Sequence, residues 1–148
     1  MIYKNHNLNI IGGKIANKNS WPSMAYIRFS YKSYVYIKGV EDIFLKEFSS
    51  ICSGNLIRRD VVLTSAQCMP SNVKFDYLGL TYSIKVAPNI FFTSLESMIS
   101  VHLGLHDRSA ISSNPLLSYS YYADSGVRFD VERIIKVSFF LISVFFIG

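Results

Sequence analysis

Few residues of this 148-residue chain could do chemistry, and most of them fall in one stretch, Ile51 to Met69. Cys52 and Cys68 are its only cysteines, sixteen positions apart. Between them Val61-Val62-Leu63-Thr64 reads as a β-branched strand running into the small residues Ser65 and Ala66. The next residue, Gln67, carries an amide without a usable pKa near neutrality, so it can hydrogen-bond but cannot shuttle a proton. The cysteines alone leave two readings open, a local pair suited to an oxidising compartment or two buried free thiols. His6, His102 and His106 lack the spacing and the Cys or Asp partners of a metal site, so neither a metal nor another cofactor is expected.

The elements that must position these residues read as strands. Half of the residues are hydrophobic, 17% are charged, and ten Tyr and eleven Phe suit a β-rich globular protein of one domain. Met24 to Tyr31 partly alternates apolar with polar residues, and Tyr34 to Ile37 is again β-branched and aromatic. Lys38 to Glu47 is expected to be a surface insertion, with a short helix over Glu41 to Phe48 as the competing local reading. After the turn cluster Met69-Pro70-Ser71-Asn72 comes a further strand-like run, Tyr82 to Val86. Ile99 to His106 sets apolar residues against Ser100, His102, Gly104 and His106, as a strand with one buried face requires. The formal charge of +5 comes from Lys and Arg scattered along the chain, which forms neither a nucleic-acid patch nor a polybasic membrane anchor.

Taken in order, these stretches resemble the trypsin-like serine peptidases of the chymotrypsin fold. Ile10-Ile11-Gly12-Gly13 resembles the start of the mature peptidase, and Ser20-Trp21-Pro22 the turn into its first barrel strand. Cys52-Ser53-Gly54-Asn55-Leu56-Ile57 and Leu63-Thr64-Ser65-Ala66-Gln67-Cys68 resemble C-x-G-x-L-I and L-T-A-A-H-C. Val101 to Asp107 resembles V-x-L-G-x-H-D/N, and Phe129 to Lys136 resembles V-x-x-I-I-x-H-P. The resemblance therefore runs from Ile10 to about Lys136. It implies the N-terminal portion of a peptidase domain: all-β, one six-stranded antiparallel barrel, with the second barrel missing or incomplete. It also implies a Cys52–Cys68 disulfide, worth about 3 kcal/mol for a loop of this length in the chain-entropy model. Ser53-Gly54 would sit beside the catalytic cleft and leave room for substrate.

The same resemblance implies that catalysis is lost. Gln67 stands where the family places its general-base histidine, so no catalytic residue is intact. His106 falls on a histidine that the family carries without catalytic duty, and Asp130 precedes the family's catalytic aspartate, which lies in a later D-I-A-L strand. Asp124-Ser125-Gly126 shares three letters with the nucleophile motif but precedes the VERII strand, the wrong order. Asn9 precedes Ile10 where an activated peptidase has Arg or Lys.

Residues 1–9 are polar, have no apolar h-region, and are read as a leader or the remnant of a pro-segment. Residues 10–136 are the partial peptidase domain. Residues 137–148 (VSFFLISVFFIG) are expected to be a hydrophobic tail outside it, read as translated intron. As a helix the run Val137 to Ile147 would span about 17 Å, short of a hydrocarbon core of about 30 Å, which argues against a membrane anchor. The expected function is that of a serine endopeptidase relative without activity, or else a non-catalytic homologue acting as a binding or regulatory module. Protein or peptide substrates, no nucleic acid, no membrane and a secreted setting are what the resemblance implies.

Overall fold

The computed structural model describes residues 16–17, 20–40, 43–105, 127–137 and 142–148. Ile10 to Gly13, His6, His106 and Asp124 to Gly126 lie outside these residues.

Eight strands follow one another: β1 (Met24–Tyr36), β2 (Ile43–Arg58), β3 (Val61–Ser65), β4 (Asn72–Tyr77), β5 (Leu80–Lys85), β6 (Ile99–Leu103), β7 (Val127–Val137) and β8 (Ile142–Ile147). Six of them close an antiparallel barrel in the order β1-β2-β3-β8-β7-β6, and β4 pairs with β5 as a separate hairpin. The fold is thus all-β, as one trypsin-like barrel would be. The period-2 alternation is plain on β1, where Ala25, Ile27, Phe29 and Tyr31 point into the barrel while Tyr26, Arg28, Ser30 and Lys32 lie on the outer face. Val62, Val101, Val131, Phe145 and Ile147 meet the β1 side chains in the centre. Burying such aliphatic and aromatic side chains is worth about 1.5–3 kcal/mol each, and closing the barrel removes its sheet edges.

The long β1–β2 pairing continues past the barrel. β6 covers β1 only from Ala25 to Phe29, whereas β2 accompanies β1 to Tyr36. The projecting ribbon is packed by aromatic rings, with Tyr31 stacked between Phe48 and Phe92, and Phe75 of the β4–β5 hairpin near Phe48. Lys38 to Glu47 is accordingly not one insertion. From Ile43 onward it is strand, and the helix over Glu41 to Phe48 does not form, because Phe44, Lys46 and Phe48 alternate onto one face of the ribbon.

Nor does Ile142–Ile147 lie outside the barrel, as expected for the tail. Val137 ends β7, and Ile142–Ile147 is β8, which pairs with β3 on one side and with β7 on the other. Ser143, Phe145 and Ile147 are buried in the barrel, while Ile142, Val144 and Phe146 are half-buried on its outer face. Arg133 lies 4.0 Å over the Phe146 ring there. A strand paired on both edges, with one face buried and the other half-buried, shows little polar alternation, and for that reason it read as a tail.

Candidate functional site

Three strand ends build the site. β3 stops at Ser65 and the chain makes one 3-10 turn, Ala66–Cys68. The Ser65 hydroxyl caps that turn by accepting from the Gln67 backbone N–H at 3.4 Å. A disulfide joins Cys68 to Cys52 on β2, with the Cα atoms 5.7 Å apart, so the pair is bonded and the free-thiol alternative falls. The Thr64 Oγ1 lies 2.9 Å from the Ser53 carbonyl oxygen, to which it donates, and 3.1 Å from Cys68 Sγ. From the far side Lys136 Nζ donates to the Met69 carbonyl at 3.1 Å. The turn is therefore fixed to β2, β3 and β7, and Gln67 is held on it exposed to solvent.

That turn is a rigid platform with an inert group on it. Among the described residues the Gln67 side-chain amide makes no hydrogen bond, and it offers no proton in the physiological range. β8 runs beside β3 with Ile142 opposite Ser65, so it reaches the Gln67 end of the barrel. The whole run from Val137 to Gly148 contains no carboxylate. A base at position 67 would find nothing on this strand to orient it. Asp130 lies elsewhere, on β7 opposite Ser100 of β6, where its carboxylate meets Arg128 at 3.4 Å.

Two expectations about small or polar residues change. Gly54 does not open space for a ligand. It is buried in the barrel wall, and a Cβ there would lie 2.8 Å from the Leu63 carbonyl oxygen and 2.9 Å from Ile27 Cδ1 and Val62 Cγ1. The glycine is needed so that β2 can pass this close to its neighbours. His102, expected on a solvated strand face, is on the outer face but only 2% exposed. Its Nε2 is 3.2 Å from Ser100 Oγ, and the Tyr26 ring meets it edge-on at 5.7 Å. Burial first, and then the positive charges of Arg128 and Arg28, push the imidazole down to about 4. At neutral pH it is an uncharged packing residue.

Among the described residues no cluster of three or more His, Cys, Asp or Glu could hold a metal ion, and no helix is long and apolar enough to cross a membrane. Sequence reasoning missed a second feature. A cleft of about 640 Å³ lies on the outer face of β1 and β6, with Arg28, Lys32 and Arg128 in its lining. The signal was in the alternation of β1, where Arg28 and Lys32 share a face.

No protein-family model matches the chain. Its sequence is similar to chymotrypsin-like elastase family member 1 of Rattus norvegicus, 33% identical over 69 residues. Those residues are 47% of this chain and 21% of that protein, so the match spans about a fifth of the length of that curated relative. With the closed six-stranded barrel, this similarity supports a relation to the trypsin-like serine peptidases.

Proposed function

We propose that this chain is a trypsin-like serine peptidase homologue, corresponding to the N-terminal barrel of such a domain, that does not itself hydrolyse peptide bonds. The observation that carries the reading is the exposed Gln67 on the disulfide-anchored turn after β3, where the resemblance puts the general base. β8 adds to it. By chain order it follows the VERII strand, as the aspartate-bearing strand does in the family, and its sequence ISVFFI has no acid. A proton cannot be taken from a nucleophile by an amide, and loss of one triad member removes most of the rate. The family's substrates are proteins and peptides, and a disulfide suits an extracellular setting. Hydrolysis of casein or of short peptide substrates by the purified chain tests the reading: the expected rate is that of buffer, and turnover above it overturns the proposal.

The second reading is a binding or regulatory module built on the same barrel. It is favoured by the cleft on β1 and β6, whose lining includes Arg28, Lys32, Phe91 and Phe92 but not Gln67.

A further inference from the structure

Two strands leave an edge without a partner strand at the projecting ribbon. β1 is paired on both sides only from Ala25 to Phe29, and from Ser30 to Tyr36 its one partner strand among the described residues is β2. The Leu56 N–H bonds the Ser23 carbonyl at 2.7 Å, in the same register that sets Met24 opposite Asn55. Odd positions of β1 therefore bond β2, and Lys32, Tyr34 and Tyr36 turn their backbone N–H and C=O groups outward. Asn89 Nδ2, which donates to the Lys32 carbonyl at 2.7 Å, uses the first of these groups. The β5 edge follows the same logic. The Val86 N–H bonds the Ser71 carbonyl at 2.9 Å, one step beyond the pair Asn72 and Lys85, so Ser83 and Lys85 turn away from β4. The Tyr31 hydroxyl accordingly reaches the Lys85 carbonyl at 3.3 Å from the β1 side. Both edges line one cleft of about 500 Å³, with Tyr34 to Lys38 from the β1 side and Tyr82 to Lys85 from β5. The lining holds two cations, Lys38 and Lys85, and no carboxylate. Both lysines are exposed, and neither has an ion pair among the described residues.

We propose that this cleft takes an extended peptide with acidic ends, which adds as a strand to the outward edge of β1 and sets its carboxylates on Lys38 and Lys85. The unpaired edges point to a peptide: donors and acceptors repeating every second residue along Tyr34 and Tyr36 are matched by another extended backbone. The Tyr34 carbonyl accepts from the Ser33 hydroxyl at 3.2 Å, a local bond that an incoming amide can replace. Val35, Tyr82 and Ile84, half-buried in the lining, meet every second side chain of such a peptide and favour apolar residues there. The charges choose the ends. Lys85 lies beside Tyr31, and Lys38 is seven positions further along the chain, so the two lysines stand toward opposite ends of the cleft. A second copy of this strand is a poorer occupant, because Met24–Tyr36 has no carboxylate to bring to either lysine. Gln67 is not in the lining, so the proposal stands whether or not the chain hydrolyses peptides.

The test is fluorescence anisotropy of the purified full chain with a fluorescein-labelled heptapeptide that has glutamate at both ends and alternating valine and threonine between them. Saturable binding is expected, weakening with added salt, with no binding of the matched peptide carrying lysine for glutamate. Two further peptides, N-methylated on one or the other set of alternate amides, keep the charges and remove the edge bonds. At least one of them is expected to bind about tenfold more weakly or worse. Lys38→Gln and Lys85→Gln are each expected to weaken binding by about two- to fivefold, with the melting temperature as the check on folding. Arg59→Gln removes the same charge at an exposed position between β2 and β3, outside the cleft, and is expected to leave the affinity unchanged. Absence of saturable binding, equal binding of the lysine peptide, both N-methylated peptides binding as well as the parent, or lysine variants no weaker than Arg59→Gln would each overturn the proposal. So would sedimentation of the chain as a dimer that excludes the peptide, since a second copy would then hold the edge.

Discussion

Gly54 and Leu63 define how tightly this barrel is wound: the position a Cβ on Gly54 would take is 2.8 Å from the Leu63 carbonyl oxygen. That oxygen belongs to β3, the strand that leads directly into the turn carrying Gln67. The closeness of β2 and β3 thus places the turn, and the disulfide then ties β2 to the turn itself.

Gly54→Ala must therefore push β3 away or displace Ile27 and Val62. Neither the carbonyl nor two packed core side chains can yield cheaply, and overpacking of this kind costs about 1–3 kcal/mol. Chemical denaturation should show a lowered midpoint. An unchanged midpoint would mean that the strands are not held at this distance.

Ser143 gives the opposite expectation. Its Oγ is buried on β8 without a hydrogen-bond partner among the described residues, opposite Thr64, whose own hydroxyl is turned to Ser53 and Cys68. A buried unsatisfied hydroxyl costs about 1–3 kcal/mol, so Ser143→Ala should raise stability by about 1 kcal/mol. Loss of stability in the alanine variant would show that the hydroxyl has a partner in solution.

His102 makes stability depend on pH. Its folded-state pKa of about 4 lies below the 6.5 of the unfolded chain, so on acidification the unfolded chain takes up the proton first. The neutral ring costs nothing above pH 6.5; stability then falls as the pH drops from 6.5 to about 4 and this contribution levels off below. The full loss is at most about 3 kcal/mol. Carboxylates titrate in part of the same window, so the measurement is the difference between the wild type and His102→Phe. Parallel stability curves for the two proteins would contradict the assignment.

Much of the barrel was legible in the sequence, and what was hidden was hidden for physical reasons. β1, β3 and β6 announce themselves through β-branched runs and alternation, while β7 and the pairing of Cys52 with Cys68 followed from the resemblance. β8 did not, because VSFFLISVFFIG is apolar on both faces and its period appears only once β3 and β7 flank it. Gly54 was read as a gap for substrate, since a glycine in a motif does not say whether a ligand or a neighbouring strand takes the space. The cleft on β1 and β6 was legible only in part: the alternation of β1 puts Arg28 and Lys32 on one face, but Arg128, a hundred positions from Arg28, joins them only when the barrel closes. The chemistry open to Gln67 was legible, because an amide lacks a usable pKa near neutrality in any surroundings, whereas its place as the general-base position rests on the resemblance.

The central claim is the proposed one: the turn carrying Gln67 cannot move a proton, and the neighbouring β8 supplies no acid beside it. Gln67→His would put an imidazole on that turn but leaves β8 without a carboxylate to orient it. The decisive measurement is hydrolysis of casein and of peptide substrates by the wild-type chain and by Gln67→His, with both proteins shown to be folded. The account predicts buffer-level rates for both. Turnover by the wild type would contradict the loss of catalysis, and turnover by Gln67→His alone would show that the base was the only part missing.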